Sequence, residues 1–485
     1  MGRFGVTNYA VLALYLIAML GIGWWCSRRI QTTRSFFIAD GRMNFVLVGI
    51  SILGTYLSAL TMLGLPAMSY GIHDWTYVVQ LPFLVLTAAV ITRLVLPAYR
   101  DAGVISIYEF LERRIHVSVR LIGSISFIVM SMARMSIILY LTSLALHTAT
   151  GLPLVGVIVV MGIIIAAYTV MGGIEAVIWT DAVQVGIFVF GALLTLFYIL
   201  QDIPPGHLFA VAAENHKFRL LIPELKLKEI CTLWLILETV FQTIRIYGTQ
   251  QDIAQRYMTT DSTARANRSV WIATVGYIPL GLLFYFIGTA LFVYYNEFPV
   301  AELPAKADQI YPFFIVHTLP AGLAGLVVAA FFAASMSSID SSMNSASTIC
   351  VEDFVKRFSK RERSDREDLV LARALTLIWG VVTILVALVF IKAEYVQILW
   401  GKAMGISTNG MLGLLALALL PMRIDKYAAL AGFAAAYIAL AVMMRTGVNF
   451  LLWAVIGNTI CFVIGLGISL LINGSKRAPA MAPAE

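Results

Sequence analysis

Long apolar runs alternate with short polar connections along the whole chain. A helix that crosses a bilayer needs about 20 mostly apolar residues. About thirteen stretches meet that requirement, over residues 8–26, 45–70, 75–96, 120–149, 152–171, 175–201, 229–255, 269–296, 320–354, 369–392, 395–421, 426–444 and 449–472. The pattern predicts an all-α integral membrane protein in a single transmembrane domain over residues 1–485, with a short Ala/Pro-rich tail over 474–485.

Composition agrees. Of 485 residues, 60% are hydrophobic and 13% charged, about half the charge of a soluble domain. Packing such a chain on itself would leave large apolar patches in water, which excludes an ordinary soluble enzyme. The 34 Lys and Arg exceed the 27 Asp and Glu and give a net charge of +7. In a soluble protein that surplus would suggest nucleic acid. Here most of it falls in alternate loops: Arg28, Arg29, Arg34 and Arg42, then Arg100, Arg113 and Arg114, then Arg256, Arg265 and Arg268, then Lys356 to Arg366, then Arg423 and Lys426, then Lys476 and Arg477. The intervening loops are poorer in basic residues, although 202–228 carries Lys217, Arg219, Lys226 and Lys228. The positive-inside rule then predicts the N-terminus outside, the C-terminus in the cytoplasm and an odd number of spans. Cys26, Cys231, Cys350 and Cys461 are scattered, form no metal-ligand spacing and read as free thiols.

Two stretches are unsuited to a plain lipid-facing helix. In residues 51–66, Gly54, Gly64 and Pro66 occur with Ser51, Thr55, Ser58 and Thr61. A break at membrane depth is tolerated only where protein or a water-filled site satisfies the freed carbonyls, and transporters use such breaks to hold ions and substrates. The alternative is a kinked helix packed through small residues. Residues 333–348 are richer still in hydroxyls. At helical spacing Ala334, Ser337, Ser338, Ser341 and Ser345 share one face, with Asp340 beside it. Hydroxyl oxygens with a carboxylate suit a hard cation such as sodium. Hydroxyl-mediated helix packing, the alternative, would not require the acid.

Ionisable residues inside spans are costly and mark functional positions. Arg134 lies in the middle of 120–149, and its planar fork fits a carboxylate; an ion pair with a buried acid is the other reading. Asp181 lies near the start of 175–201, where it is either an ion ligand or a helix cap. Glu238 and Arg245, seven apart on one predicted helix, either neutralise charge between them or across to another helix, or serve the site.

These residues sit within sequence that resembles the sodium/solute symporter family, most closely its bacterial sodium-coupled sialic acid transporters. The resemblance runs from about residue 8 to 473 and rests on residues 168–181, 251–257 and 332–338 together with the span pattern. It implies an inverted-repeat core of the amino-acid sodium symporter kind. The extra N-terminal helix would be 8–26, the first repeat 45–201, the second 229–392, and additional C-terminal helices would fill 395–473. The implied activity is sodium-coupled import of an acidic sugar, sialic acid, by alternating access in the bacterial inner membrane, with no enzymatic step. The main sodium site would use Gly54, Leu57, Ala334, Ser337 and Ser338. A second would use Asp181, Ser337, Asp340 and Ser341, with Asp340 standing where the relatives have serine. The substrate carboxylate would bind Arg134, and Tyr56, Ser58, Thr61, Tyr77 and Gln80 would line the pocket. Tyr56 replaces a smaller hydroxyl residue and Leu81 stands where a glutamine would contact the sugar, which leaves open another organic anion or sugar as cargo. A channel or a transporter-like sensor is the alternative of a different class. If Asp340 adds charge to a second ion site, Asp340→Ser changes the sodium stoichiometry or the pH dependence of uptake; flux measurements on the two proteins that coincide would remove the idea.

Overall fold

The computed structural model describes residues 5–57, 59–71, 75–391, 409–474 and 476. Those residues fold into helices and connections with no extended strand among them. Nine of the helices are long and apolar enough to cross a membrane. They include Val6–Ser27, Val117–Thr150, Thr263–Glu297, Asp365–Phe390, Lys426–Thr446 and Leu451–Asn473, each overlapping a predicted span. Side-chain caps set several starts: Asn44 accepts from the Val46 N–H at 2.8 Å, and Ser364 and Glu367 form a reciprocal capping box.

Four predicted spans differ in shape. Residues 45–70 form two helices, Phe45–Tyr56 and Ala59–Tyr70, separated at Leu57, whose backbone is non-helical at φ −79° and ψ 88°. Residues 229–255 also divide: Thr232–Thr249 ends at Gln250, which is extended at φ −106° and ψ 120°, and Gln251–Met258 follows. Residues 152–171 and 175–201 run together as Leu154–Asp202, kinked at Gly173 where φ is 51° and ψ −150°. The predicted span 395–421 falls largely outside the described residues, which show Met411–Leu419 as helix.

The serine-rich helix, Leu323–Ile349, is the centre of the bundle. Of its most apolar window 89% is buried, against 28–50% for the other spanning helices. It has almost no lipid-facing side, which is why so polar a sequence is tolerated at membrane depth. Val6–Ser27, Val117–Thr150, Leu154–Asp202 and Asp365–Phe390 surround it.

Both halves of the broken pair lie against one helix, Thr263–Glu297. The approach is set by glycine. A Cβ on Gly49 would sit 2.7 Å from Ile272 Cβ and 2.9 Å from the Ser269 carbonyl oxygen. One on Gly288 would sit 2.1 Å from Ser69 Oγ and 2.2 Å from the Pro66 carbonyl oxygen. Small residues at such crossings let backbones meet where no hydrophobic driving force separates protein from lipid. Because the Pro66 atom is backbone, Gly288→Ala is expected to destabilise the protein by about 1–3 kcal/mol. A thermal midpoint in detergent equal to that of the parent would show that the crossing relaxes.

Candidate functional site

The two breaks and the serine-rich helix converge on a set of buried polar groups. Ser337 Oγ donates to the Gly54 carbonyl at 3.0 Å and lies 3.1 Å from the Ala334 carbonyl, which Ser338 Oγ approaches at 3.5 Å. Gly54, Ala334, Ser337 and Ser338 are thus brought together by one helix end and one helix face. Leu57 is buried where the first half of the broken pair stops, and its N–H bonds the Leu53 carbonyl.

The Arg256 side chain makes four hydrogen bonds in this region. Its Nε donates to Ser51 Oγ at 2.7 Å, Nη1 to the Asp252 carbonyl at 2.6 Å, and Nη2 to Asp181 Oδ2 at 2.8 Å and to Ser341 Oγ. Neither Arg256 nor Asp181 has any solvent-exposed side-chain surface. Ser51 also donates to Asp181 Oδ2, while Asp181 Oδ1 has no hydrogen-bond partner. Asp340 accepts from the Tyr168 hydroxyl at 2.6 Å and has Ser341 Oγ 3.1 Å away. The expected second-site residues therefore surround a guanidinium as well as each other. Asp181 caps no helix: Leu154–Asp202 continues through it.

Arg134 connects the two breaks. Its Nη1 donates to Asp252 Oδ2 at 2.9 Å and its Nη2 to the Thr55 carbonyl at 3.2 Å. Asp252 is fully buried and Arg134 keeps 13% of its side-chain surface exposed. The ion pair with a buried acid is realised, yet two of five N–H groups are used and three remain. Tyr56 stacks on Tyr247 with ring centroids 5.4 Å apart and meets Tyr277 edge-on at 5.9 Å. Thr61 Oγ1 reaches the Tyr56 carbonyl at 3.3 Å. Gln80 donates to the Leu235 carbonyl at 3.4 Å, and Tyr77 is half-buried on the same short turn, Thr76–Gln80. Ser58 lies outside the described residues.

Two readings of the charges change. Glu238 and Arg245 form no ion pair; Arg245 instead bonds Gln242 Oε1 through Nε at 3.1 Å and Nη2 at 2.9 Å. Arg256, counted above among loop charges, is wholly buried, as is every residue of Gln251–Met258. The apolar run simply ends two residues before it, so hydropathy stops where the helix turns into the protein. Only the resemblance at 251–257 marks the segment; Ser51 stands among the hydroxyls of the first break with no sign that it partners Arg256, and Tyr168 and Asp252 are marked by the resemblance alone.

A second network ties the ends of helices together away from the midplane. Arg120 bonds Glu112 and Asp353, each at 2.7 Å, Arg357 bonds Glu112 at 2.7 Å, and Ser106 Oγ donates to Asp353 at 2.8 Å. Burial pushes the Glu112 carboxyl up, but hydrogen bonds from Arg357 and Arg120 and their positive charge outweigh it and hold the group below the usual carboxylate range. A lowered folded-state value contributes stability that is present above the ordinary glutamate value of about 4.3 and is lost as pH falls through the folded value.

The chain matches the model of the Sodium:solute symporter family over residues 36–435. It is 34% identical to the sodium/sialic acid symporter SiaT of Proteus mirabilis, covering 99% of this chain and 97% of that one. It is 30% identical to the sodium/sialic acid symporter NanT of Aliivibrio fischeri, covering 95% and 92%. A solved structure of a Na+-coupled sialic acid symporter, in a substrate-bound outward-open state, matches with a TM-score of 0.90 at 32% identity and full coverage of both chains.

Two outcomes follow from this geometry. Breaking a buried pair by removing one partner costs about 3–5 kcal/mol, so Arg256→Gln is expected to lose most of the protein's thermal stability, with Asp181→Asn in addition costing far less than the sum of the two single changes. Additive losses in that double-mutant cycle would dissolve the pair. Glu112→Gln should lower the thermal midpoint at neutral pH, and the gap from the parent should close as pH drops well below about 4. A gap that stays constant across the pH scan would contradict it.

Proposed function

Since the chain belongs to the sodium:solute symporter family, we propose that it couples the inward sodium gradient to import of an acidic sugar, sialic acid (N-acetylneuraminic acid), across a bacterial inner membrane. The named activity of the two bacterial relatives supports that substrate. One contact carries the ion-coupling reading: the hydroxyl of Ser337 on the carbonyl of Gly54 at 3.0 Å, where the broken pair meets the serine-rich helix. Oxygens that close belong to two elements that a single hard cation can bridge.

In this reading sodium is cargo held by the Gly54, Leu57 and Ala334 carbonyls and the Ser337 and Ser338 hydroxyls. A second ion is held by Asp181, Ser337, Asp340 and Ser341. The free Asp181 Oδ1 supports it, because a buried carboxylate oxygen without a donor is an open ligand. Sodium trades the Ser337–Gly54 hydrogen bond for coordination and favours whichever state gathers more ligands. The substrate carboxylate takes the remaining fork of Arg134, and Ser58, Thr61, Tyr56, Tyr77 and Gln80 contact the sugar. A membrane potential of 100 mV adds about 2.3 kcal/mol per sodium charge carried inward.

The transmembrane arrangement belongs to the same proposal. At 1.5 Å per residue the 49 residues of Leu154–Asp202 would reach about 74 Å, over twice the bilayer core, so its kink at Gly173 is read as a turn between two spans. Adding 45–70, 229–255 and 395–421 gives about thirteen spans, N-terminus outside and C-terminus cytoplasmic. Breaks at Leu57 and Gln250, each in the first span of its half, support inverted repeats over 45–201 and 229–392.

In proteoliposomes, labelled N-acetylneuraminic acid should accumulate only with an inward sodium gradient. Arg134→Gln removes a charge-assisted contact worth about 2–3 kcal/mol and should weaken the half-saturating concentration by roughly 30- to 150-fold. Sodium-dependent stabilisation of the protein without uptake of this sugar would favour the second reading, another organic anion, for which the Tyr56–Tyr247–Tyr277 cluster narrowing the pocket is the reason.

A further inference from the structure

Arg245 is a buried guanidinium with no carboxylate. Arg120, Arg134 and Arg256 each hold one at 2.7–2.9 Å. Arg245 is fully buried, yet its Nε and Nη2 share one neutral acceptor, Gln242 Oε1, and its Nη1 has no hydrogen-bond partner at all. Guanidinium does not shed its proton in proteins. A buried charge left without a carboxylate at ion-pair distance is costly to the fold, and intramembrane charges of that kind mark functional positions.

The side chain borders a cavity with Tyr108, Ser126, Met130, Thr249, Gln250 and Met411. Met130 is one helical turn from Arg134 on the same helix. The space is small in this state, with room for about one water molecule, far below the size of pockets that enclose a whole ligand, so a carboxylate enters it only as the helices move apart. Hydroxyl and amide groups line it beside the guanidinium, whose Nη1 has no hydrogen-bond partner. By the topology proposed above, the Tyr108 side of Arg134 is the cytoplasmic side.

We propose that Arg245 is a second anion-binding group of the transport path, receiving the substrate's carboxylate one helical turn to the cytoplasmic side of Arg134 as the substrate is released. The proposal rests on the reading of the cargo as an organic anion. The two arginines act in sequence: Arg134, already shared with Asp252, loads the anion, and Arg245, with no carboxylate at ion-pair distance and only Glu238 farther along its own helix, draws it inward.

The test uses the full chain in lipid nanodiscs and proteoliposomes, with N-acetylneuraminic acid and with lactate as a minimal hydroxycarboxylate. Arg245→Gln is expected to slow sodium-coupled release into the inner compartment by about ten-fold or more while changing half-saturating outer substrate by less than about three-fold. Arg245→Lys, which keeps the charge, is expected to restore much of the rate. Without anion, Arg245→Gln should melt at or above the parent temperature, since it removes an unpaired charge; with anion, the stabilisation that remains in Arg134→Gln should vanish in the double variant. Release within about two-fold of the parent, or anion-dependent stabilisation that survives in the double variant, would overturn the assignment. Lactate stabilisation that depends on Arg245, with no response to N-acetylneuraminic acid, would sink the sugar as cargo and leave the anion site standing.

Discussion

The guanidinium of Arg256 ties four elements together at one buried point. It bonds Ser51 in the broken pair, Asp181 in the kinked helix and Ser341 in the serine-rich helix, and it returns to the Asp252 carbonyl of its own short helix. Each of its three nitrogens finds an oxygen and Asp181 neutralises the charge, so the desolvation of a fully buried arginine is offset by geometry rather than by water. Without it, three hydroxyl- and carboxylate-bearing helices would face one another with surplus acceptors. The candidate ion sites of this symporter are built against that frame: Ser337 and Ser341 are one turn apart on one helix, and Gly54 lies three residues beyond Ser51.

Much of this was legible in the chain. Hydropathy located the spanning helices to within a few residues, as at Lys426–Thr446 and Leu451–Asn473. The hydroxyl stripe at 334–345 identified the central helix, because no lipid-facing segment could carry it. The break near Gly54 was legible too, although the backbone departs from helix at Leu57 rather than at Gly64 or Pro66, and Pro66 sits inside Ala59–Tyr70. Gln250 was not legible as a break: Gly248 stands two residues before it, but a single glycine within an otherwise helical run gives no reason to end the helix there. Arg256 looked like a loop charge. A count of basic residues has no means of telling a buried arginine from a solvated one when its partner, Asp181, is 75 positions away.

The buried charges near the midplane form an uneven set. Asp252 and Asp181 each have a guanidinium, and Tyr168 meets Asp340 with a neutral hydroxyl. On the other side Arg245 meets only an amide. An acid without a guanidinium stands on the serine-rich helix, and the helix that precedes Gln250 carries a base, Arg245, with no carboxylate at ion-pair distance and an acid, Glu238, two turns before it. In a protein that moves a cation and an anion together, such residues are what cargo of the opposite sign would neutralise, and hydrophobic replacements that suit an ordinary core would remove the recognition with the cost.

The glycine crossings bear on how the molecule can move. Phe45–Tyr56 and Ala59–Tyr70 both press backbone-close against Thr263–Glu297, one through Gly49 and the other through Gly288. Two segments fastened to the same helix, one on each side of Pro279, are coupled through it. A movement that carried only one half past the gap at Leu57 would have to part a backbone-close contact, which makes the Thr263–Glu297 helix the piece that passes motion from one half to the other.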